Sequence, residues 1–282
     1  MQDRYVADVG DYGKYGLLRC LAGITCGSEK GRLNLGVIWY LTPSCHGNAN
    51  DGKHLSYLDQ PTKFEECDKN LFCSLRKIRG EITLPNDHHI RREECMRTEV
   101  NRDVKEPALK RIHDSKILGE DALFFGDLLC ADTDRAVWWT EVSNKSKGKC
   151  DLVFMDPDNG LRVQYGNDGA TLLRQNESGR KHISQEEICE VLKDWGASAV
   201  VIYHHLGRHG GDHDNQIRLI AEALGKLAPN GTTIRALRYR RGSSRAFFVL
   251  IQKEHEILQS RIDSLADSSW VRKKHFQIVI SI

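Results

Sequence analysis

The run Asp156-Pro157-Asp158-Asn159 sits between apolar Leu152-Val153-Phe154-Met155 and Gly160-Leu161. Pro157 cannot donate to a strand ladder and Gly160 can take backbone angles that other residues resist. A buried strand therefore stops here, and its polar end groups are presented together. A carboxylate and an amide oxygen at a strand end can accept the hydrogen bonds of an exocyclic amine and hold it for group transfer. Two nearby carboxylates can instead hold Mg²⁺ or Mn²⁺. The same residue types also make plain tight turns. In open α/β sheets ligands bind outside the carboxyl ends of strands, which makes Asp156, Pro157, Asp158 and Asn159 the expected catalytic turn.

A second polar run, His204 to Asp214, follows the apolar stretch Ala199–Tyr203. Side chains alternate along a strand, so at most one of His204 and His205 faces the cleft with the Asp156 turn. Imidazole and carboxylate are metal-ligand types, and glycines ahead of a helix suit an anion. His204 is assigned to the site and Arg208 to substrate, with no four-ligand metal cage expected. Arg235, Arg238, Arg240, Arg241 and Arg245 form the densest basic set, with Arg272-Lys273-Lys274 a second. Arg238, Arg240 and Arg241 could track a nucleic-acid backbone, or belong to a solvated hairpin. The net charge is only +2, so any basic surface is local.

The opening Gly10-Asp11-Tyr12-Gly13-Lys14-Tyr15-Gly16 reads as the start of a helix capped by Asp11, with Leu17, Leu18 and Leu21 as its apolar face. Its glycines would let backbone approach a ligand, and Lys14 supplies a fixed charge. The competing reading is a helix docked on the core.

Positioning these groups requires a sheet. Gly36–Leu41, Ala122–Asp127, Leu152–Met155 and Ala199–Tyr203 read as strands, Thr233–Tyr239 and Arg245–Ile251 as a hairpin, and 276–282 as a last strand. Ser184-Gln185-Glu186-Glu187 is a capping box ahead of Ile188, Val191, Leu192 and Trp195. Asp132 or Asp134 caps a helix whose Trp138 and Trp139 pack inward, and Asp212 or Asp214 caps another. Residues 63–115 are mostly helical in pattern, with 79–84 a short strand and His88-His89 a solvated turn. The polar stretch 162–181 is long enough to read as a mobile lid or substrate loop, and 44–54 as a ligand loop or a solvated connection. The alternation predicts an α/β fold: a Rossmann-like, mostly parallel sheet flanked by helices and ending in an antiparallel hairpin. One strand is expected to run against the rest. A single domain over 1–282 carries a mostly helical insertion at about 60–115.

The chain has 282 residues and is 40% hydrophobic, enough for a substantial core. Its nine cysteines include no Cys-x-x-Cys pair and read as reduced thiols. The charged start and the lack of a membrane-length apolar run lead us to expect a cytoplasmic protein with no membrane partner. Oligomeric state is not set by these features.

Taken together, the Gly10–Lys14 helix, the strand at 37–41, Phe125-Gly126-Asp127, the Asp156-Pro157 strand end, the strand before His204 and the closing hairpin resemble the Rossmann-like S-adenosylmethionine-dependent methyltransferases. The layout is nearest the ribosomal-RNA adenine-N6 type, over about residues 8–252. The first segment is also similar to the N-termini of a bacterial family of unassigned function. Thr42-Pro43-Ser44-Cys45-His46 stands where that superfamily has Gly-x-Gly, and Asp156-Pro157-Asp158-Asn159 where its amine-methylating members have Asp/Asn-Pro-Pro-aromatic. The resemblance implies S-adenosylmethionine as cofactor, contacted by Gly10, Asp11, Gly13, Lys14, Asn48, Asp51, Gly52 and Asp127. It implies an amine acceptor in RNA, DNA or a nucleotide, held by Asp156, with no metal needed. Two other readings stay open: a Mg²⁺- or Mn²⁺-dependent phosphodiesterase or nuclease using Asp156, Asp158 and His204, and a non-catalytic nucleic-acid-binding relative.

Overall fold

The computed structural model describes residues 6–26, 31–42, 54–81, 108–129, 133–166, 169–174, 179–207, 212–253 and 255–282. Its strands are β1 (Leu35–Trp39), β2 (Leu123–Phe125), β3 (Leu152–Asp156), β4 (Gly160–Leu161), β5 (Val163–Gly166), β6 (Gly169–Leu172), β7 (His182–Ile183), β8 (Ala199–His205), β9 (Thr233–Tyr239), β10 (Arg245–Ile251) and β11 (Phe276–Ser281). Its helices are α1 (Val9–Leu21), α2 (Pro61–Phe64), α3 (Lys69–Glu81), α4 (Ala108–Asp114), α5 (Arg135–Ser146), α6 (Gln185–Asp194), α7 (His213–Leu227), α8 (Glu256–Ala266) and α9 (Ser269–Arg272).

The central sheet has the order β11-β9-β10-β8-β3-β1-β2. β2, β1, β3 and β8 run parallel. β10 is antiparallel to both β8 and β9, and β11 is antiparallel to β9. Two strands, β10 and β11, thus oppose the rest where the sequence led us to expect one. The periodicity that marks a strand carries no direction. Strands β3, β8 and β10 are apolar on both sides of the pleat because helices cover both faces. Leu152, Phe154, Val201 and Val249 meet α1, α3, α4, α8 and α9, while Val153, Met155, Ile202 and Phe248 meet α5, α6 and α7. Among the described residues no helix is long and apolar enough to cross a membrane.

Helix starts follow local chemistry. Ser184 accepts from Glu187 N and the Glu187 side chain accepts from Ser184 N, closing the expected box. Asp134 caps α5, with Trp138 and Trp139 buried, and Asp212 caps α7. α1 is capped by Asp8 rather than Asp11: Asp11 N donates to Asp8 Oδ1 at 2.9 Å, and Asp11 turns its own carboxyl back to Ala7 N at 3.0 Å.

Two further expectations change. Arg79, Gly80 and Glu81 end α3 instead of starting a strand, because Leu71, Leu75 and Ile78 keep helical spacing and stay buried; 82–84 lie outside the described residues. The described part of 162–181 is not a free lid. Val163 to Gly166 pairs with Gly169 to Leu172 as a hairpin that packs on α7, and His182–Ile183 pairs with Gly160–Leu161. The polar composition hid a half-buried hairpin whose inner face is Val163, Tyr165 and Leu172.

α1 docks closely because three glycines three residues apart line its inner side. Gly10 lies against the Arg245 guanidinium, Gly13 against the Tyr239 ring and Gly16 against Trp270. A Cβ at Gly13 would stand 2.6 Å from that ring, which is pinned by its hydroxyl donating to Val9 O at 2.8 Å. Gly13→Ala should therefore destabilise by about 1–3 kcal/mol through overpacking. Gly80→Ala, in open space on α3, should be neutral or stabilising by up to ~1 kcal/mol. Urea unfolding of the two variants separates these outcomes.

Candidate functional site at the carboxyl ends of the strands

Asp156 is the last residue of β3 and falls on the α1 side of the sheet, beside Trp39 and near Tyr203. Lys14 reaches it from α1, its Nζ 2.9 Å from Oδ1 and 3.0 Å from Oδ2. The same ammonium stands 3.7 Å from Asp11 Oδ1 and 4.6 Å above the Tyr203 ring. Burial works against the Lys14 charge, but Asp156, Asp11 and Tyr203 outweigh it and hold its pKa above the usual lysine range. Next to this pair, Arg245 donates from Nε to Tyr203 OH at 3.3 Å and pairs through Nη2 with Asp8 Oδ2 at 3.5 Å. Asp156 is 0% exposed, so its carboxylate is closed off by Lys14 rather than offered to an amine. Gly10 and Gly13 likewise face side chains of β10 and β9, so the close approach they permit is to protein, not to a cofactor.

Past Asp156 the chain turns away from α1. Gly160 has φ +95, and a Cβ there would come within 2.5 Å of His204 Cα. Only glycine lets the turn lie this close to β8. Asn159 N donates to Lys181 O at 2.9 Å and Asn159 O accepts from His205 N at 3.3 Å, which ties the turn to β7 and β8. Leu161 N donates to His204 Nδ1 at 3.1 Å. That ring nitrogen is an acceptor, so His204 is neutral. Burial first, then His205 and His182, push its pKa down to about 3.

Asp158 Oδ2 lies 3.2 Å from Lys181 Nζ, and the Asn159 side chain is exposed. Burial is the largest cause lowering both His182 and His205, and the Asp158 charge acts the other way on each. Asn159 and His205 are exposed at this strand end and Lys181 is half-buried, while the Asp158 side chain is only 9% exposed beneath Lys181. Asp156 and His204 lie on opposite faces of the sheet. Asp156, Asp158 and His204 thus do not surround a common point, which corrects the metal-site reading. Among the described residues no three His, Cys, Asp or Glu side chains group as metal ligands.

At the neighbouring strand ends Asp127 is exposed beyond β2, its Oδ2 3.5 Å from Lys145 Nζ. Beside it, Trp39 and Thr42 are buried, and neither Trp39 Nε1 nor Thr42 Oγ1 has a hydrogen-bond partner among the described residues. Such orphaned polar atoms are uncommon in a folded interior. Sequence reading missed both. The signal available was a tryptophan ending an apolar strand and a threonine just before Pro43. Asn48, Asp51, Gly52 and Arg208 lie outside the described residues.

The arginine set does not form one basic surface. Arg238 pairs with Asp214 at 3.0 Å and also contacts His213 and Ser244. Arg241 donates to His275 Nδ1 at 3.1 Å and to Lys273 O at 2.7 Å, and Arg245 is buried. Arg235 and Arg238 point to opposite faces because they are three apart on β9. Arg240 is exposed and donates to Gln277 Oε1 at 3.1 Å.

Removing one partner of the Lys14–Asp156 pair leaves a buried charge without its counterion. Lys14→Met or Asp156→Leu alone should each cost about 3–5 kcal/mol of stability, and the double variant clearly less than the sum. Urea unfolding of the four-member cycle measures that coupling; strict additivity would show that the two charges do not depend on each other.

No protein-family model, curated protein or solved structure matches this chain, and the site is read from its own geometry.

Proposed function

We propose that the chain is a methyltransferase-like enzyme that moves a methyl group from S-adenosylmethionine to an amine of a nucleotide or nucleic acid. The observation that carries this reading is the way the sheet closes. Beyond the parallel block β2-β1-β3-β8 comes the reversed β10, with β9 outside it. That is a parallel sheet ending in an antiparallel hairpin, the layout the resemblance implies. Polar groups at the ends of β1 and β2 support such a reading: Trp39 Nε1, on the α1 face, and Thr42 Oγ1 lack partners among the described residues, and the Asp127 carboxylate is exposed beside Lys145 of α5. A carboxylate beyond a strand end suits ribose hydroxyls, while the indole N–H suits a ring-nitrogen or carboxylate acceptor.

S-adenosylmethionine supplies a methyl group on an electrophilic sulfonium centre. The chain supplies position. Asp158 and the Asn159 side-chain oxygen accept the two N–H bonds of the amine, which leaves its lone pair directed at the donor. Asp158 would take up the surplus proton that the amine nitrogen gives up on transfer. Lys181, 3.2 Å away, pairs with Asp158 and fixes its carboxylate in place. Lys14 and Asp156 anchor the strand end from which the turn projects. Hydrolysis of a phosphoester through Asp156, Asp158 and His204 is not carried forward, since Asp156 and His204 face apart.

S-adenosylhomocysteine at about a hundred times its dissociation constant should add roughly 2.7 kcal/mol, raising the unfolding midpoint by several degrees. Asp127→Ala should weaken that binding by roughly 10- to 100-fold. Asp158→Asn should leave it intact and remove methyl transfer to nucleotide or RNA acceptors. A chain that shows no midpoint shift at millimolar ligand and transfers no labelled methyl group would overturn the proposal. Binding of RNA by such a chain would favour the non-catalytic reading instead.

A further inference from the structure

The seam between α1 and the sheet contains one more acid than base. Asp8, Asp11 and Asp156 meet Lys14 and Arg245 there, with side chains 4%, 1%, 0%, 7% and 8% exposed respectively. The elements around Asp11 bring further polar groups: Tyr15 from α1, Tyr203 from β8, Tyr239 from β9 and Tyr57 from the turn Ser56–Asp59. Arg79, half-buried on α3, acts on Asp8 and Tyr57 from the rim, with no ion pair to the seam among the described residues. An uncompensated charge buried this deeply costs several kcal/mol, and a single proton removes it.

The geometry also selects the acid. Asp156 has Lys14 within 3.0 Å of both oxygens. Asp8 accepts the helix-cap bond from Asp11 N and faces Arg245. Asp11 is the least compensated: Oδ2 accepts from Ala7 N, while Oδ1 has no hydrogen-bond partner and stands 3.7 Å from Lys14. The buried Tyr15 hydroxyl lies beside it and interacts with the Asp11 side chain.

We propose that Asp11 carries a proton in the native protein at neutral pH, directed toward Tyr15, and that this proton fastens α1 over the strand ends as a pH-sensitive latch. The direction of titration agrees. Burial is the largest cause, opposed by Lys14 and reinforced by Asp8 and Asp156, and together they raise Asp11 from 3.8 to about 8. A carboxyl whose folded pKa lies above its unfolded one binds a proton on folding. Its contribution is whole below the unfolded value of 3.8, falls as pH rises, and is gone once pH passes about 8. Within that window the folding constant drops by up to about tenfold per pH unit. Above it, Asp11 is a third negative charge beside Asp8 and Asp156, and α1 is held less firmly.

The test compares full-length parent with Asp11→Asn by urea unfolding at about pH 6, 7, 8 and 9, spanning the transition. Asparagine keeps the acceptor for Ala7 N and removes the ionisation. Because both chains share every other titrating group, the difference between them isolates Asp11. The parent is expected to lose stability relative to the variant by up to about tenfold in folding constant per pH unit up to pH 8, so that the variant is the more stable chain at pH 9. A parent and variant with parallel pH profiles would overturn the latch. If the variant does not fold, infrared difference spectra of the parent decide: a protonated-carboxyl band present near neutral pH and lost above about pH 9 is expected. Its absence near neutral pH would overturn the proposal. Amide exchange in α1, corrected for intrinsic rates and compared with α6, should rise over the same range; unchanged α1 protection would show that the proton does not control docking.

Discussion

A lysine and an aspartate 142 residues apart in sequence meet where water is absent, and the position of the first helix follows from that meeting. Taking both charges out of water is costly, and the pair is tolerable only with short contacts and further partners. Lys14 has both Asp156 oxygens within 3.0 Å and the face of Tyr203 below it. Such contacts require α1 to lie almost on the sheet, which Gly10, Gly13 and Gly16 permit by having no side chains where Arg245, Tyr239 and Trp270 stand. α1 is consequently divided. Asp8 and Lys14 at its start bury charge, while Leu17, Leu18 and Leu21 in its last turns bury hydrocarbon.

The pair also decides which groups of the Asp156–Asn159 turn remain exposed. Strand alternation sends Asp156 to the α1 face and His204 to the other, and each is then satisfied locally, by Lys14 and by Leu161 N. Pro157 and the left-handed Gly160 fold the intervening residues across the edge of β8. What projects is Asn159, whose backbone is already committed to Lys181 and His205, while Asp158 lies under Lys181 with its side chain 9% exposed. The residue that looked most chemical in the sequence is the anchor, and Asn159 is the one left exposed.

Much of the fold was legible because its signals are local. The apolar runs of β1, β3, β8, β9 and β10, the Ser184 box and the two tryptophans of α5 all follow from spacing and capping chemistry. Features that depend on distant partners were not. Nothing in Phe276–Ser281 says which neighbour it joins or in which direction. Polar composition at 163–172 concealed the inner face that packs on α7. Gly10 and Gly13 read as ligand-facing because a close approach can be inferred from glycine, but what approaches cannot. Arginines crowded in sequence at 235–245 separate in space, since alternation on β9 and the pairings with Asp214, Asp263 and His275 draw them apart. The strand end at Asp156 was legible from the apolar run and Pro157, whereas which of its side chains are buried needed the sheet register.

Buried ion pairs add little net stability compared with well-packed hydrocarbon, so stability alone does not account for charge in the α1 seam. Register does. A glycine stripe against aromatic rings would tolerate α1 sliding along or rotating on the sheet. A lysine that must reach one carboxylate and an arginine that must reach another do not. Shifting α1 by a single residue would turn Lys14 by about 100° and leave Asp156 without its counterion, a loss of several kcal/mol. The charges thus select one docking among several that packing would allow. They do so at the strand end that carries Asp158 and Asn159, so the same charges that fix α1 also fix the position of that turn.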